Sequence, residues 1–202
     1  MNCGRRSARL RARALRRGGL INLINPTQPD QPDQPDPPVP VLSLSDLEDA
    51  LAADRAAGRT IAFANGVFDL LHVGHVRYVQ AASAEADRLV VAVNSDASVR
   101  RLKGAGRPIL DEHARAEMVG ALRGVHYVVI FGDDTVAALL TRLTPDVHCK
   151  GTDYTVDSVP ERAIVLAYGG RTAIVGDPKD HSTRDLLARL AGGAADPPVP
   201  RP

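Results

Sequence analysis

Two rhythms of apolar and polar positions alternate along the middle of the chain, and the alternation predicts its architecture. Thr60 to Asn65, Arg88 to Ser95, Val125 to Phe131, Asp146 to Lys150 and Arg171 to Val175 are short, nearly continuous apolar runs. Their length and β-branched content are those of strands buried on both faces. Between them the spacing changes to that of helices. Ser43 is placed to cap a helix whose apolar face carries Leu47, Ala50 and Leu51 and which ends near Gly58. Further helices are predicted over Gly74 to Ala86, Asp111 to Leu122 and Thr135 to Leu143. Pro160 fits the first turn of another, stopped by Gly169 and Gly170, and Ser182 to Leu190 reads as the last. Five apolar strands separated by helices imply an α/β, Rossmann-like doubly wound domain: a mostly parallel five-stranded sheet, helices on both faces, right-handed crossovers. Ligands of such sheets bind beyond the carboxyl ends of the strands.

The flanks follow neither rhythm. Gln28 to Asp36 repeats Gln-Pro-Asp three times and runs into Pro37, Pro38 and Pro40, a proline density that sustains neither helix nor sheet ladder. Gly192 to Pro202 is similarly poor in groups that can pack. The expected organisation is a disordered arm and linker over residues 1–40, one catalytic domain over 41–191 and a disordered tail over 192–202. A chain of 202 residues leaves little room for a second domain.

No apolar run approaches the roughly 20 residues of a membrane-spanning helix, so a soluble, cytoplasmic protein is expected. Cys3 and Cys149 are too few for a disulfide framework, and Cys149 lies in an apolar segment where a small buried thiol belongs. The net charge of +1 hides an asymmetry. Residues 1 to 17 hold seven arginines and no acid, leaving 18 basic against 24 acidic residues over the rest, a balance near −6. A nucleic-acid-binding body does not follow from that balance. The Arg-rich start resembles the first region of an export signal, but Gly18 to Asn25 is short, interrupted by Asn and without a small-residue cleavage pattern. It reads as an RNA-touching arm or as translated sequence upstream of the true start.

The chemistry concentrates in Asn65-Gly66-Val67-Phe68-Asp69-Leu70-Leu71-His72-Val73-Gly74-His75, directly after the first strand and opening a helix. A helix N-terminus favours an anion, and Gly66 and Gly74 remove side chains that would keep phosphate at a distance. His72 and His75 add two donors at that mouth. A structural zinc site would need three or four ligands, and no Cys or His completes one at ligand spacing, so no resident metal is expected. Asp69 is either a phosphate-site residue or a turn cap.

His72-Val73-Gly74-His75, with the preceding Asn-Gly-x-Phe-Asp, resembles the HxGH signature of the cytidylyltransferase-like nucleotidyltransferase superfamily. The resemblance implies in-line attack by a substrate phosphate oxygen on the α-phosphorus of a nucleoside triphosphate, with His72, His75 and Lys103 carrying the catalysis. It implies nucleotide and phosphate contacts from Asn65, Gly66, Phe68, Asp69, Gly74 and Lys150. The similarity continues through Val93-Asn94-Ser95-Asp96, Arg100-Arg101-Leu102-Lys103-Gly104 and Arg107-Pro108, which look like the stretch after the second strand in bacterial heptose 1-phosphate adenylyltransferases. There Lys103 would hold phosphate from a Gly-flanked loop, where the alternative is a solvated cation. Asn94, Asp96, Arg107 and Asp153 become candidate substrate contacts.

Pro145 to Tyr154 resembles the family's strand ending in Lys-Gly-Gly-Asp-Tyr, with Thr152 in place of the second Gly. A β-branched residue resists positive φ, so a loop of altered geometry is expected there. His181-Ser182-Thr183-Arg184 matches the family's Ile-Ser-Thr-Thr at its centre, implying that Ser182 and Thr183 bind the triphosphate. Ser182 with Asp185 also reads as a capping box.

The similarity spans about Leu42 to Leu190, and the kinase half of the bifunctional heptose enzymes is absent from it. The implied reaction joins D-glycero-D-manno-heptose 1-phosphate to ATP, giving ADP-heptose and pyrophosphate on the way to lipopolysaccharide or another surface glycan. ATP and a sugar phosphate are the implied partners, and Mg²⁺ the implied companion of ATP. A homodimer stays open as the assembly. The motifs leave three rivals: a cytidylyltransferase for glycerol phosphate or an amino-alcohol phosphate, an FMN adenylyltransferase, and a non-catalytic nucleotide-binding module.

Overall fold

The computed structural model describes residues 39–177. The N-terminal arm, and the segment with Ser182, Thr183, Arg184 and the expected last helix, lie outside the described residues. The elements run in chain order β1 (Val41–Leu42), α1 (Leu44–Ala56), β2 (Ile61–Gly66), α2 (Val73–Ser83), β3 (Arg88–Asn94), α3 (Asp96–Lys103), α4 (Glu112–Gly120), β4 (Tyr127–Phe131), α5 (Ala137–Leu143), β5 (Val147–Lys150), α6 (Arg162–Ala167) and β6 (Arg171–Ile174). Among the described residues no helix is long and apolar enough to cross a membrane.

The six strands form one sheet in the order β1-β4-β3-β2-β5-β6, and every pairing is parallel. The expectation of five strands is corrected by β1, a two-residue edge strand registered on Val128 and Val129 of β4. Two residues carry no periodicity, so nothing in the pattern marks them. Ser43 caps α1 as expected, its Oγ accepting from the Asp46 N–H at 3.1 Å.

Strand alternation divides the core in two. Ala62, Ala64, Val91, Val93 and Cys149 face one way, under Val79 and Ala82 of α2 and Ala116 and Val119 of α4. Ile61, Phe63, Val90, Ala92 and Val129 face the other, under Leu47 and Leu51 of α1, Leu139, Leu140 and Leu143 of α5, and Val165 of α6. All of these are buried, Cys149 included, and each large aliphatic side chain so removed from water contributes about 1.5–3 kcal/mol. Covering both faces is what makes the strands apolar throughout and forces polar function to their ends.

A second correction concerns the stretch after β3, read as a loop. It is α3, capped by the Ser95 Oγ, which accepts from the Ser98 N–H at 3.2 Å. Its apolar contribution is small, Val99 buried and Leu102 exposed, and this hid the helical rhythm. Lys103 therefore ends a helix instead of riding a loop, with Gly104 at φ +90° terminating it.

Candidate active site

β2 lies in the interior of the sheet, and its carboxyl end delivers the chain from Asn65 into the mouth of α2. His72 is the N-cap of α2 and His75 its third residue. The rings stack with centroids 3.9 Å apart and planes inclined by 27°. The His72 backbone N–H donates to His75 Nδ1 at 3.4 Å, which leaves the proton of a neutral His75 ring on Nε2.

The loop before the histidines is tightly built. Phe68 holds a left-handed φ of 51°, a conformation that costs a non-glycine residue on the order of 1–3 kcal/mol and tends to survive where the surroundings enforce it. Its ring is buried, lies 5.3 Å from the His75 ring, and occupies the space over Gly66, where a Cβ would stand 3.0 Å from Phe68 Cε2. Gly66 is thus required by close approach.

Asp69 is buried. Its Oδ1 accepts from the Ile109 and Leu110 N–H groups at 2.6 and 3.1 Å, and its Oδ2 pairs with Arg107 at 2.5 Å. The Asp69 carboxylate therefore anchors the segment that carries Arg107. Arg115, fully buried on α4, extends the same framework. It donates to the carbonyls of Val67 and Leu110 at 2.5 and 2.9 Å and to Asp96 at 2.7 Å. Asp96, expected as a substrate contact, has its side chain on Arg115 and is not among the residues lining the cavity.

That cavity, of about 1100 Å³, opens over the carboxyl ends of the strands. Of the residues singled out in the sequence, it is lined by Asn65, Gly66, Phe68, Asp69, His72, Gly74, His75, Asn94, Lys103, Arg107, Lys150 and Asp153. Ser182 and Thr183 lie outside the described residues. Asn94 is buried and donates to the Ser98 Oγ at 3.0 Å. Thr152 is not among the residues with positive φ, as its β-branched side chain leads one to expect. Its hydroxyl donates to the Asp177 carbonyl at 2.7 Å, tying the β5 loop to the end of β6.

In the same cavity, Lys150 Nζ donates to Asn65 Oδ1 at 3.1 Å, lies 3.5 Å from Glu161 Oε2 and sits 5.5 Å from the Tyr154 ring centre. Burial lowers the Lys150 pKa, and the Glu161 charge opposes that shift. His148, one register position inside the sheet, places Nε2 3.5 Å from the same Asn65 oxygen. Burial first, and the Lys150 charge second, bring its pKa down to about 3, so the ring is neutral. Sequence reasoning missed Arg115, His148 and Glu161. The one available signal was Arg115 on the apolar face of its helix, one turn before Val119.

Among the described residues no cluster of three His, Cys, Asp or Glu side chains converges on a metal position. Asp69 and Asp177 are each committed to an arginine, Arg107 and Arg77.

An all-parallel sheet with a stacked HxGH pair at the tip of an interior strand defines a nucleotide-transfer type of site. The family model described as cytidylyltransferase-like matches residues 63–187, and the chain belongs to that family. It is 51% identical over 150 residues to the bifunctional protein HldE of Rhodopseudomonas palustris (strain BisB18), covering 74% of this chain and 31% of that protein. It is 45% identical over 144 residues to HldE of Syntrophotalea carbinolica, covering 71% of this chain and 29% of that protein. The chain thus matches less than a third of the length of these curated relatives. The solved lipopolysaccharide core biosynthesis protein of Thermoplasma volcanium GSS1 superposes with a TM-score of 0.53 at 27% identity, over 60% of this chain and 100% of that one.

Proposed function

We propose that the chain is an adenylyltransferase that transfers AMP from ATP to a sugar 1-phosphate, D-glycero-β-D-manno-heptose 1-phosphate, giving ADP-heptose and pyrophosphate. The observation that carries the reading is the stacked His72–His75 pair at the α2 mouth, facing a cavity that also gathers Lys103 and Arg107. The HldE and lipopolysaccharide-core names of its relatives support the choice of acceptor.

In this reading an oxygen of the sugar phosphate forms a bond to the α-phosphorus as the bond from that phosphorus to the β-bridging oxygen breaks. Pyrophosphate leaves with the electron pair. The imidazole N–H groups and the amino end of α2 stabilise charge developing on the α- and β-phosphates. Lys103 and Arg107 neutralise the remaining phosphate charge and align the two substrates. Mg²⁺ enters on the ATP phosphates as part of the substrate, where it lowers their negative charge.

Pyrophosphate release tests the proposal, with ATP and CTP each offered against heptose 1-phosphate, glycerol 3-phosphate, phosphocholine and FMN. Turnover is expected with ATP and heptose 1-phosphate. Turnover with CTP alone, or nucleotide binding with no turnover, would remove the assignment.

A further inference from the structure

Glu161 has no task in that reaction, yet its position is unusual. It is 7% exposed, lines the cavity, and its Oε2 has no close hydrogen-bond partner among the described residues, only the Lys150 ammonium at 3.5 Å. Buried carboxylate oxygens are costly to leave unsatisfied, and one retained at a cavity wall is accounted for when a ligand completes it. Lys150 Nζ, 3.5 Å away, is already shared with Asn65 Oδ1. An ammonium beside a carboxylate is largely neutralised, and the carboxylate repels any phosphate brought to it. This part of the wall is therefore a poor phosphate grip.

A side-by-side acceptor and donor complement a group that both donates and accepts at two neighbouring oxygens. We propose that Glu161 and Lys150 form a receptor for a vicinal diol, Glu161 accepting a hydroxyl proton and Lys150 donating to the adjacent oxygen, so that Glu161 determines specificity. The inference rests on the nucleotidyl-transfer reading, in which both substrates carry such a diol: the ribose of ATP and the ring of the sugar phosphate.

The test uses the full chain and Glu161→Gln, with binding measured by calorimetry in two arms. One arm compares ATP with 2′-deoxy-ATP and 3′-deoxy-ATP; the other compares heptose 1-phosphate with its 2-deoxy analogue. In one arm the wild type is expected to prefer the diol-bearing ligand at least tenfold, and Glu161→Gln to reduce that preference below twofold. The arm that responds identifies the source of the diol. The proposal is overturned if the wild type shows no preference in either arm, if the preference survives the substitution, or if the variant weakens diol and deoxy ligands equally. Should Glu161→Gln lose its cooperative thermal transition, Lys150→Met provides the second variant under the same criteria. Both arms read binding, so a wild type that binds these ligands but releases no pyrophosphate sinks the transfer reading while the diol receptor is still decided.

Discussion

The His72 backbone N–H donates to His75 Nδ1, and the two imidazoles lie stacked 3.9 Å apart. One side chain is oriented by the backbone of the other, so His75 is held in place before any substrate arrives, which is the condition for strong electrostatic stabilisation of a transition state. His75→Ala is expected to lower kcat by about 10²–10³-fold, the usual cost of one such donor. Steady-state pyrophosphate release checks this, with the thermal unfolding midpoint showing that the fold persists. A loss under tenfold would take His75 out of the chemistry.

Arg115 joins the histidine loop, the Arg107 segment and α3 through three acceptors while fully buried. Arg115→Met leaves Asp96 with only Arg100, 3.9 Å away, and two carbonyls unsatisfied. Leaving these groups without their donor costs about 1–3 kcal/mol. Urea unfolding should show that loss as a lower midpoint at unchanged slope.

Asp69→Asn should separate anchoring from chemistry. The amide keeps an acceptor for Ile109 and Leu110 but loses the charge that holds Arg107. The expected result is a rise in KM that exceeds the fall in kcat, because an Arg107 no longer held by Asp69 is less well placed for the substrate phosphate. A pure kcat effect would instead assign Asp69 to the reacting centre.

The neutral, buried His148 makes stability depend on pH. Its folded pKa, about 3, lies below the unfolded value of about 6.5, so between those limits the unfolded chain binds the extra proton. The stability contribution is complete above pH 6.5 and falls as pH drops toward 3, by up to about 1.4 kcal/mol per pH unit. Thermal midpoints at pH 7.5, 6 and 5 should decline more steeply for the wild type than for His148→Gln. Parallel curves would show that His148 does not titrate in this way.

Gly66→Ala places a Cβ 3.0 Å from the Phe68 ring. Phe68 is fixed by the core and by its left-handed backbone, so the ring has little room to yield. A destabilisation of about 1–3 kcal/mol is expected from the overpacking. Differential scanning calorimetry measures it, and an unchanged midpoint would mean that the ring moves aside.

Much of this molecule is decided by short-range pattern. Apolar runs, capping residues such as Ser43, and the Gly66-to-His75 segment each act within a few residues, so β2 through β6 and the HxGH mouth of α2 are legible one stretch at a time. The edge strand β1 is too short to carry such a pattern, and α3 buries too little to show one.

What only the tertiary structure decided are relations between distant stretches. Asp69 meets residues 40 and 41 positions away, Arg115 a carbonyl 48 positions away, and Lys150 an amide 85 positions away. Nothing local distinguishes Asp96, which braces Arg115, from Asp153, which lines the cavity, because both are acids following a strand. Their roles diverge only when the parallel sheet brings the strand ends together, since hydrogen bonds and desolvation depend on neighbours in space and not along the chain.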